Sequence, residues 1–430
     1  MAWFGRKKQD DTFEEEIVEE EPRLPEPPVA DASGLRSTTD HTAYLLSLVE
    51  PLKPFGMSLL EAWDQVLCED IDSSINVPPN STAKVAGYAV RAADLLDDEG
   101  HLAPPLEIVD ADVERLPEGA AVVVAAGDVL ARGANAVLPS TFATVEDGRA
   151  RLIEKVAEAE YLRSAGEHLR RGTRLLSEGD VLDERNIGLL ASAGIDKVLV
   201  RPRPRVVVVS SGDNLVEPGV DVAHGQATDT NSFMIAAAAR AAGATVFRVA
   251  VHANDAQAIK EAITDQLIRA DLVISTTGGK REDYETVSGI MGELGLVDAV
   301  DVAMTPGRTQ TFGLIGEERV PMLMLPGNPV SAYVTFQAFA RPIIRRLMGA
   351  RTEHRAVRAI SAGTLRSMRG QMHLLRGRVW SEGSVRHVEQ VTSPHALSEL
   401  GRSNALIVLD ESTEVVRAGE AVKVWLFEEE

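Results

Sequence analysis

The feature that most constrains the fold of this chain is a regular alternation of predicted strands and helices between residues 206 and 348. Four apolar runs have the length and composition of buried strands, at 206–210, 245–251, 272–276 and 320–325. Segments with helical periodicity follow them, at 231–242, 255–269, 284–294 and 330–348. Because strands that are apolar on both faces must be covered on both faces, this alternation predicts a parallel sheet with helices on either side.

Glycine-rich turns follow three of these predicted strands. They read Ser211-Gly212-Asp213, Gly278-Gly279 and Pro326-Gly327-Asn328-Pro329. Ligands of parallel sheets bind at the carboxyl ends of the strands, so the three turns are expected to face one crevice. The third turn leads into a helix, whose first N–H groups and dipole favour an anion, and a proline is tolerated there. The turn therefore predicts an anion cradle, with a plain strand-to-helix connection as the alternative.

Composition limits the class of protein. The chain has 430 residues, 44% of them hydrophobic and 25% charged, which is typical of a soluble globular protein of two or more domains. A net charge of −21 argues against a nucleic-acid partner. The single cysteine, Cys68, excludes an intrachain disulfide and a cysteine metal site. The histidines show no metal-ligand spacing, so no metal site is predicted. No apolar run has the length of a membrane span and no signal peptide is visible, which predicts the cytoplasm.

The remaining segments divide into three types. Residues 1–38 carry acid clusters and four prolines and are predicted to be a disordered acidic tail. This tail is either a solubilising segment or a docking segment, with Trp3 and Phe4 as anchors for a partner or for a weak contact with a membrane. Helices are predicted at 39–50, 57–68 and 183–193. Short apolar runs between Gly, Pro and Asp turns indicate β-rich regions at 70–155 and 349–430.

These motifs together resemble the molybdopterin molybdenumtransferase family, called MoeA in bacteria and the E domain of gephyrin in animals. The similarity covers roughly residues 40–430, and its strongest match is the segment from Leu325 to Ala332. Further matches are Ser211-Gly212-Asp213, Asp229-Thr230-Asn231-Ser232, Pro306-Gly307-Arg308 and Gly87-Tyr88-Ala89-Val90.

The resemblance implies a multidomain α/β fold, with a molybdopterin-binding-like parallel-sheet domain and β-rich subdomains. It places subdomain I at 39–80 and 155–203, subdomain II at 81–154, subdomain III at 204–348 and subdomain IV at 349–430. It also implies an elongated homodimer, with the active site between the sheet domain of one subunit and subdomain II of the other. There the family inserts molybdate into adenylylated molybdopterin, with release of AMP and with magnesium.

The resemblance also assigns site residues. Asp229 and Asp283 match catalytic positions, although each is also a candidate helix cap. The predicted cofactor-binding residues are Ser211, Gly212, Asp213, Gly278, Gly279, Lys280, Arg308, Pro326, Gly327, Asn328 and Pro329.

The sequence departs from the family pattern at several of its polar positions. Ala86 stands where the family has Asp, Ala126 where it has Thr, and Asn214 where it has Glu. The loop after Gly278-Gly279 is three residues shorter than in the family. Because a lost catalytic polar group costs orders of magnitude in rate, these departures predict that catalysis is lost or much weakened.

The resemblance and the substituted positions together allow two functions of different class. The first is a gephyrin-like scaffold, which binds a short peptide of a cell-division protein of the FtsZ type or of a membrane receptor. Such a partner would recruit the protein from the cytoplasm to the division site or the membrane. The second is an active molybdopterin molybdenumtransferase that tolerates the substitutions.

Overall fold

The structure is a computed structural model that describes residues 23–251, 255–391 and 397–427. Its chain forms two compact units. Unit 2 comprises Pro51–Arg203 with Met348–Ala350, and unit 1 comprises the described parts of Met1–Glu50, Pro204–Leu347 and Arg351–Glu430. The division of the sequence into four subdomains remains a prediction. No helix in the described ranges combines the length and the apolarity that a membrane span requires.

Helix α1 (Thr38–Ser47) belongs to unit 1 and precedes unit 2, which is built mainly of short strands. The elements of unit 2 are β1 (Phe55–Ser58), β2 (Ile71–Asp72), β3 (Thr82–Ala83), β4 (Gly87–Val90), β5 (Leu106–Val109), β6 (Ala120–Val124), β7 (Ala136–Pro139), β8 (Ala143–Glu146), β9 (Arg149–Leu152), β10 (Leu162–Arg163), β11 (Arg174–Leu176), α2 (Glu184–Ser192) and β12 (Lys197–Val200). Six of the strands form a sheet in the order β7-β4-β6-β5-β9-β8. The predicted β character of 70–155 is confirmed.

The helix predicted at 57–68 is wrong. Met57 and Ser58 belong to β1, which pairs antiparallel with β12, and the following residues form turns. Asp64 has a φ of 59°, a conformation that interrupts any helix. Leu60 and Trp63 are exposed, so the spacing of the apolar residues does not reflect one buried helix face.

The predicted strand–helix alternation forms the first half of unit 1. Its elements are β13 (Arg205–Ser211), β14 (Leu215–Val216), β15 (Ala227–Thr228), α3 (Asn231–Ala241), β16 (Thr245–Val251), α4 (Ala256–Leu267), β17 (Leu272–Thr277), α5 (Arg281–Leu294), β18 (Gly295–Asp301), β19 (Met304–Thr305), β20 (Thr309–Ile315), β21 (Val320–Met324), α6 (Pro329–Thr335) and α7 (Arg341–Leu347). A π-helical turn, Phe336–Ala340, joins α6 to α7.

The main sheet of unit 1 has the order β16-β13-β17-β21-β20-β18. Its first four strands are parallel, as predicted, but β20 pairs antiparallel with both of its neighbours, β21 and β18, so the sheet is mixed. Val207 and Val209 pack with α4 and α5 in one apolar core. Since side chains alternate along a strand, Val206 and Val208 point to the opposite face, where α3 packs against β13. The sheet is therefore covered on both faces.

The second half of unit 1 is a β barrel. It consists of β22 (Ala356–Ser361), β23 (Leu365–Arg366), β24 (Met372–Glu382), β25 (Val385–Gln390), α8 (Leu397–Leu400), β26 (Ala405–Leu409), β27 (Val415–Val416) and β28 (Ala421–Leu426). The pairing runs β24-β25-β22-β28-β26 and returns from β26 to β24, which closes the barrel. Short β19 extends it by parallel pairing with β24.

The predicted disordered tail lies partly outside the described residues, because residues 1–22 are among those not described. The prediction is wrong for its last part. Leu35, Arg36 and Thr38 are buried within unit 1, and Ser37 caps α1 by accepting from the Asp40 N–H. A buried arginine needs fixed partners, so these residues are part of the folded unit.

Candidate functional site

The predicted anion cradle joins β21 to α6. Pro329 is the first residue of α6, where its missing N–H is not needed. The side-chain oxygen of Asn328 accepts from the N–H groups of Val330 at 3.0 Å and Ser331 at 3.1 Å. Asn328 is therefore a helix N-cap, and it occupies the amides that the sequence offered to an anion. Positive charge at this turn must come from side chains of other segments.

Glycines bring two of the three turns into direct contact. A Cβ on Gly327 would lie 2.6 Å from the Gly279 nitrogen and closer still to its Cα. Gly279 has a φ of 90°, which disfavours other residues. The side chain of Asn231 holds the same turn, since its Nδ2 donates to the Gly327 carbonyl at 2.8 Å. The structure thus brings the predicted turns after β17 and β21 together. The turn after β13 joins them, because the Gly278 N–H donates to the Ser211 carbonyl at 3.1 Å, and Asn231 is a further partner.

A cavity of about 670 Å³ opens beside these glycines. It is lined by Thr277, Gly279, Lys280, Arg281, Tyr284, Glu285, Gly307, Arg308, Thr309, Pro326, Gly327 and Ser331. Three cations stand at its rim, of which Lys280 and Arg308 were predicted from the sequence. Arg281, which follows Lys280 at the start of α5, is a further positive charge that the sequence offers to a ligand beside these two.

Each rim cation has a carboxylate partner. Lys280 contacts Asp213 at 2.5 Å, Arg281 contacts Glu285 at 2.7 Å, and Arg308 contacts Asp301 at 2.9 Å. The hydrogen bond from Lys280 lowers the pKa of Asp213, and the same bond raises the pKa of Lys280. All three cations are well exposed, and exposed ion pairs contribute only about 0–1 kcal/mol. A phosphate group can therefore displace these carboxylates at small cost.

Asp229, a predicted catalytic residue, is 1% exposed and saturated with donors. It accepts from the Ser210 hydroxyl at 2.5 Å, and from the Ser232 hydroxyl at 2.6 Å and N–H at 3.0 Å. The Arg248 guanidinium lies 3.6 Å from the same carboxylate. The bond to the Ser232 N–H is the capping contact that the sequence left as an alternative. In this geometry Asp229 organises the start of α3.

Asp283, the second predicted catalytic residue, has the opposite environment. It is 2% exposed, and neither carboxyl oxygen has a hydrogen-bond partner among the described residues. Burial raises its pKa. The alternative role as a helix cap is wrong, because α5 begins at Arg281 and Asp283 lies within its first turn. A buried carboxyl group without donors is costly, so this position carries strain that a ligand could relieve.

The substituted family positions lie in different places. Ala86 and Ala126 are exposed residues of unit 2, beside β4 and after β6. Asn214 is in unit 1, where its Nδ2 donates to the Gly278 carbonyl at 3.5 Å and its Oδ1 is buried without a partner among the described residues. Neither alanine lines the cavity of about 670 Å³, whose lining residues all belong to unit 1.

The magnesium that the resemblance implies can be compared with the donors present. Within the described ranges no three His, Cys, Asp or Glu side chains cluster as a metal site. Mg²⁺ commonly takes one or two carboxylates and completes its shell with water and substrate phosphates. Asp213 is an exposed carboxylate beside Lys280, so it could supply one ligand to a magnesium ion that arrives with a phosphate group. Such an ion would neutralise phosphate charge.

Fold and site together define an α/β protein with a cavity at the carboxyl edge of its sheet, rimmed by Lys280, Arg281 and Arg308. Three family models match the chain: the MoeA N-terminal region (domain I and II) at residues 36–194, the probable molybdopterin binding domain at 207–346, and the MoeA C-terminal region (domain IV) at 358–427. Molybdopterin molybdenumtransferase 1 of Mycobacterium tuberculosis is 32% identical over 421 residues, covering 91% of this chain and 98% of the relative. The chain therefore belongs to the MoeA family of molybdopterin molybdenumtransferases.

Other comparisons agree with this assignment. The molybdopterin molybdenumtransferase of Haemophilus influenzae is 30% identical, covering 87% of this chain and 94% of the relative. A crystal structure of the molybdopterin biosynthesis MoeA protein from Pyrococcus horikoshii covers 92% of this chain and 100% of its own, with 23% identity and a TM-score of 0.79. This last likeness concerns the fold alone.

Proposed function

We propose that the protein is a molybdopterin molybdenumtransferase, which inserts molybdate into adenylylated molybdopterin and releases AMP. The observation that carries the proposal is the glycine-walled cavity of about 670 Å³ with Lys280, Arg281 and Arg308 at its rim. Relatives named for this activity align over nearly the whole of both chains, which supports it.

The residues of the cavity suit a phosphorylated ligand. Gly279 lets a phosphate approach the backbone closely, because a Cβ there would meet nothing within 4 Å, whereas the space beside Gly327 is filled by the Gly279 backbone. Lys280 and Arg308 supply charge-assisted hydrogen bonds, which are roughly twice as strong as neutral ones. Asp283 lies buried in the first turn of α5, beside this edge of the sheet, and its carboxyl group is one to which such a ligand could give hydrogen-bond partners.

The substitutions of family residues at Ala86, Ala126 and Asn214 are expected to slow the transfer step more than they weaken phosphate binding. Two of them lie in unit 2, whereas the cavity is lined by unit 1 alone. We therefore expect retained binding with a slow transfer step.

Release of AMP tests this proposal. Purified protein is incubated with adenylylated molybdopterin and molybdate, and AMP is quantified by chromatography. We expect AMP to form faster than in the absence of protein, and we expect Ala86→Asp to raise the rate about tenfold or more, since it restores a polar group. Arg308→Ala should prevent the reaction. If neither the natural protein nor Ala86→Asp releases AMP above the uncatalysed rate, the transferase assignment is wrong.

A second cavity favours the scaffold function as a second candidate. It has a volume of about 680 Å³, lies within unit 1, and is mainly apolar. Aromatic side chains from three segments line it, namely Phe233, Tyr333 and Phe427, and Phe233 is 43% exposed. Grooves with exposed aromatic anchors are typical of peptide recognition. We propose that it accepts an extended peptide with large apolar side chains, from a division protein of the FtsZ type or from a membrane receptor.

Peptide binding by this groove can be measured by fluorescence anisotropy with a labelled carboxyl-terminal FtsZ peptide and with a receptor-loop peptide. Phe233→Ala is expected to weaken binding at least about tenfold, because truncating a central aromatic anchor typically removes 2 kcal/mol or more. Ile268→Ala is the matched control, since Ile268 is an exposed apolar residue of unit 1 that does not line the groove. Equal affinities of the two variants would exclude this groove as the binding site.

A further inference from the structure

Arg36 is a buried arginine that lies far in sequence from the cavity lined by Lys280 and Arg308. Its side chain is 4% exposed, yet it carries a full positive charge. Its guanidinium makes a two-pronged ion pair with Asp298 on β18, with contacts of 2.5 Å and 3.1 Å. Its Nε donates to the Pro28 carbonyl at 3.1 Å. Burying such a pair is costly unless its geometry is well satisfied, and here Asp298 and the Pro28 carbonyl together satisfy the guanidinium.

Neighbouring side chains complete the environment of Arg36. The Nδ1 atom of His41 lies 3.1 Å from the guanidinium, and the Tyr44 ring lies beneath it at 5.4 Å. Burial first, and the charge of Arg36 second, lower the pKa of His41 to about 4. His41 is therefore neutral near pH 7, and among the described residues Asp298 is the carboxylate paired with Arg36.

The backbone of Arg36 connects this pair to the segment that carries Arg308. The Arg36 N–H donates to the Asp301 carbonyl at 2.9 Å, and the Arg36 carbonyl accepts from the Ala303 N–H at 2.8 Å. Val302, between these two partners, donates its N–H to the Arg308 carbonyl at 2.7 Å. The carboxylate of Asp301 in turn accepts from Arg308 Nε at 2.9 Å. One continuous set of bonds thus leads from Arg36 to both the backbone and the side chain of Arg308.

We propose that Arg36 is a positioning residue for the anion site, which through its pair with Asp298 holds residues 301–308 so that Arg308 faces the phosphate cavity. The inference rests on the proposed function only in that the ligand is a phosphate. Gly307 explains why the segment needs an external support. It has a φ of 91°, and a Cβ there would clash with Thr335 and Met304. The segment must therefore adopt one narrow conformation, which its neighbours have to maintain.

A double-mutant cycle with AMP as the probe tests this role. Calorimetry is performed on the full chain with Arg36→Met, Arg308→Ala and the double variant. We expect Arg36→Met to weaken AMP binding about tenfold when Arg308 is present, and less than twofold when Arg308 is already alanine. If the two residues acted independently, their effects on the free energy of AMP binding would simply add. Arg36→Lys, which keeps the charge but not the two-pronged contact, should give an intermediate loss. If Arg36→Met weakens AMP binding as much in the Arg308→Ala variant as in the natural protein, the proposal is overturned.

The control is Arg205→Met. Arg205 makes a similar two-pronged pair with Asp271, but it lies at the start of β13, at the opposite edge of the sheet. This variant should leave AMP affinity unchanged. A loss equal to that of Arg36→Met would show that any broken arginine pair disturbs the site, and it would overturn the proposal.

Hydrogen exchange separates this proposal from the proposed function. If the natural protein does not bind AMP, the proposed phosphate site is refuted. The effect of Arg36 on residues 301–308 can still be measured by amide exchange. Arg36→Met, or Asp298→Asn if the first variant does not fold, should speed amide exchange at Val302 and Ala303 at least about tenfold. Amides of β13 and β17 should keep their exchange rates. Unchanged exchange at Val302 and Ala303 would overturn the positioning role whatever AMP does.

Discussion

Gly327→Ala is expected to weaken phosphate binding in the cavity beside Gly279 and to lower the free energy of unfolding by about 1–3 kcal/mol. The added methyl group would lie 2.6 Å from the Gly279 nitrogen, where only backbone atoms can give way. The two glycine turns must then separate, which moves Gly279 and the adjoining Lys280 away from the cavity. We expect AMP affinity to fall by about 100-fold, since a charged hydrogen bond and close backbone contacts are lost together.

Calorimetry with AMP and urea denaturation measure the two effects of Gly327→Ala. Gly289→Ala is the control, because Gly289 is an exposed residue within α5 and a Cβ there meets nothing within 4 Å. This control should raise stability by up to about 1 kcal/mol, the helix preference of alanine over glycine, with unchanged affinity. Retained AMP affinity in Gly327→Ala would show that the contact between the turns is dispensable.

Asp283→Asn is expected to stabilise the protein by about 1–3 kcal/mol at pH 7 while reducing transfer activity by orders of magnitude. The natural carboxyl group is buried without hydrogen-bond partners among the described residues, so its ionised form is unfavourable in the folded state. An amide of the same shape carries no charge. If ligand binding uses this carboxyl group, activity is lost as stability is gained.

The gain from Asp283→Asn should depend on pH. Burial raises the pKa of Asp283, so the folded protein binds more protons than the unfolded chain between the ordinary value of 3.8 and the raised value. Stability of the natural protein therefore falls as pH rises through that interval, and the variant lacks this fall. Urea titrations from pH 3.5 upward should show the difference between the two proteins growing with pH.

Glu282→Gln serves as the control for Asp283→Asn, because Glu282 is the exposed neighbour on the same turn of α5. Its stability should change by less than about 0.5 kcal/mol. If the stability difference between Asp283→Asn and the natural protein is the same at all pH values, folding does not disfavour the ionised carboxylate of Asp283. The prediction is then wrong.

Local patterns predicted most elements of unit 1 because periodicity there reflects burial. The strand at 245–251 and the helix at 231–242 agree with β16 and α3 almost to the residue. The antiparallel strands β18 and β20 were missed, since both contain polar residues and no apolar run marks them. The prediction of a helix at 57–68 was wrong because an apolar pattern there does not reflect a helix. Its apolar spacing fits a helix, but pairing between β1 and β12 determines the conformation.

The amino-acid sequence by itself determined the composition of the anion site, namely glycines after β17 and β21 with Lys280 and Arg308 nearby. Only the tertiary structure decided which polar groups are engaged. Asn328 occupies the helix amides, Asp229 is saturated by donors, and Asp283 has none among the described residues. The physical reason is that hydrogen bonding must be satisfied across the fold, and the partners of one carboxylate come from segments far apart in the chain. Local sequence cannot specify those partners.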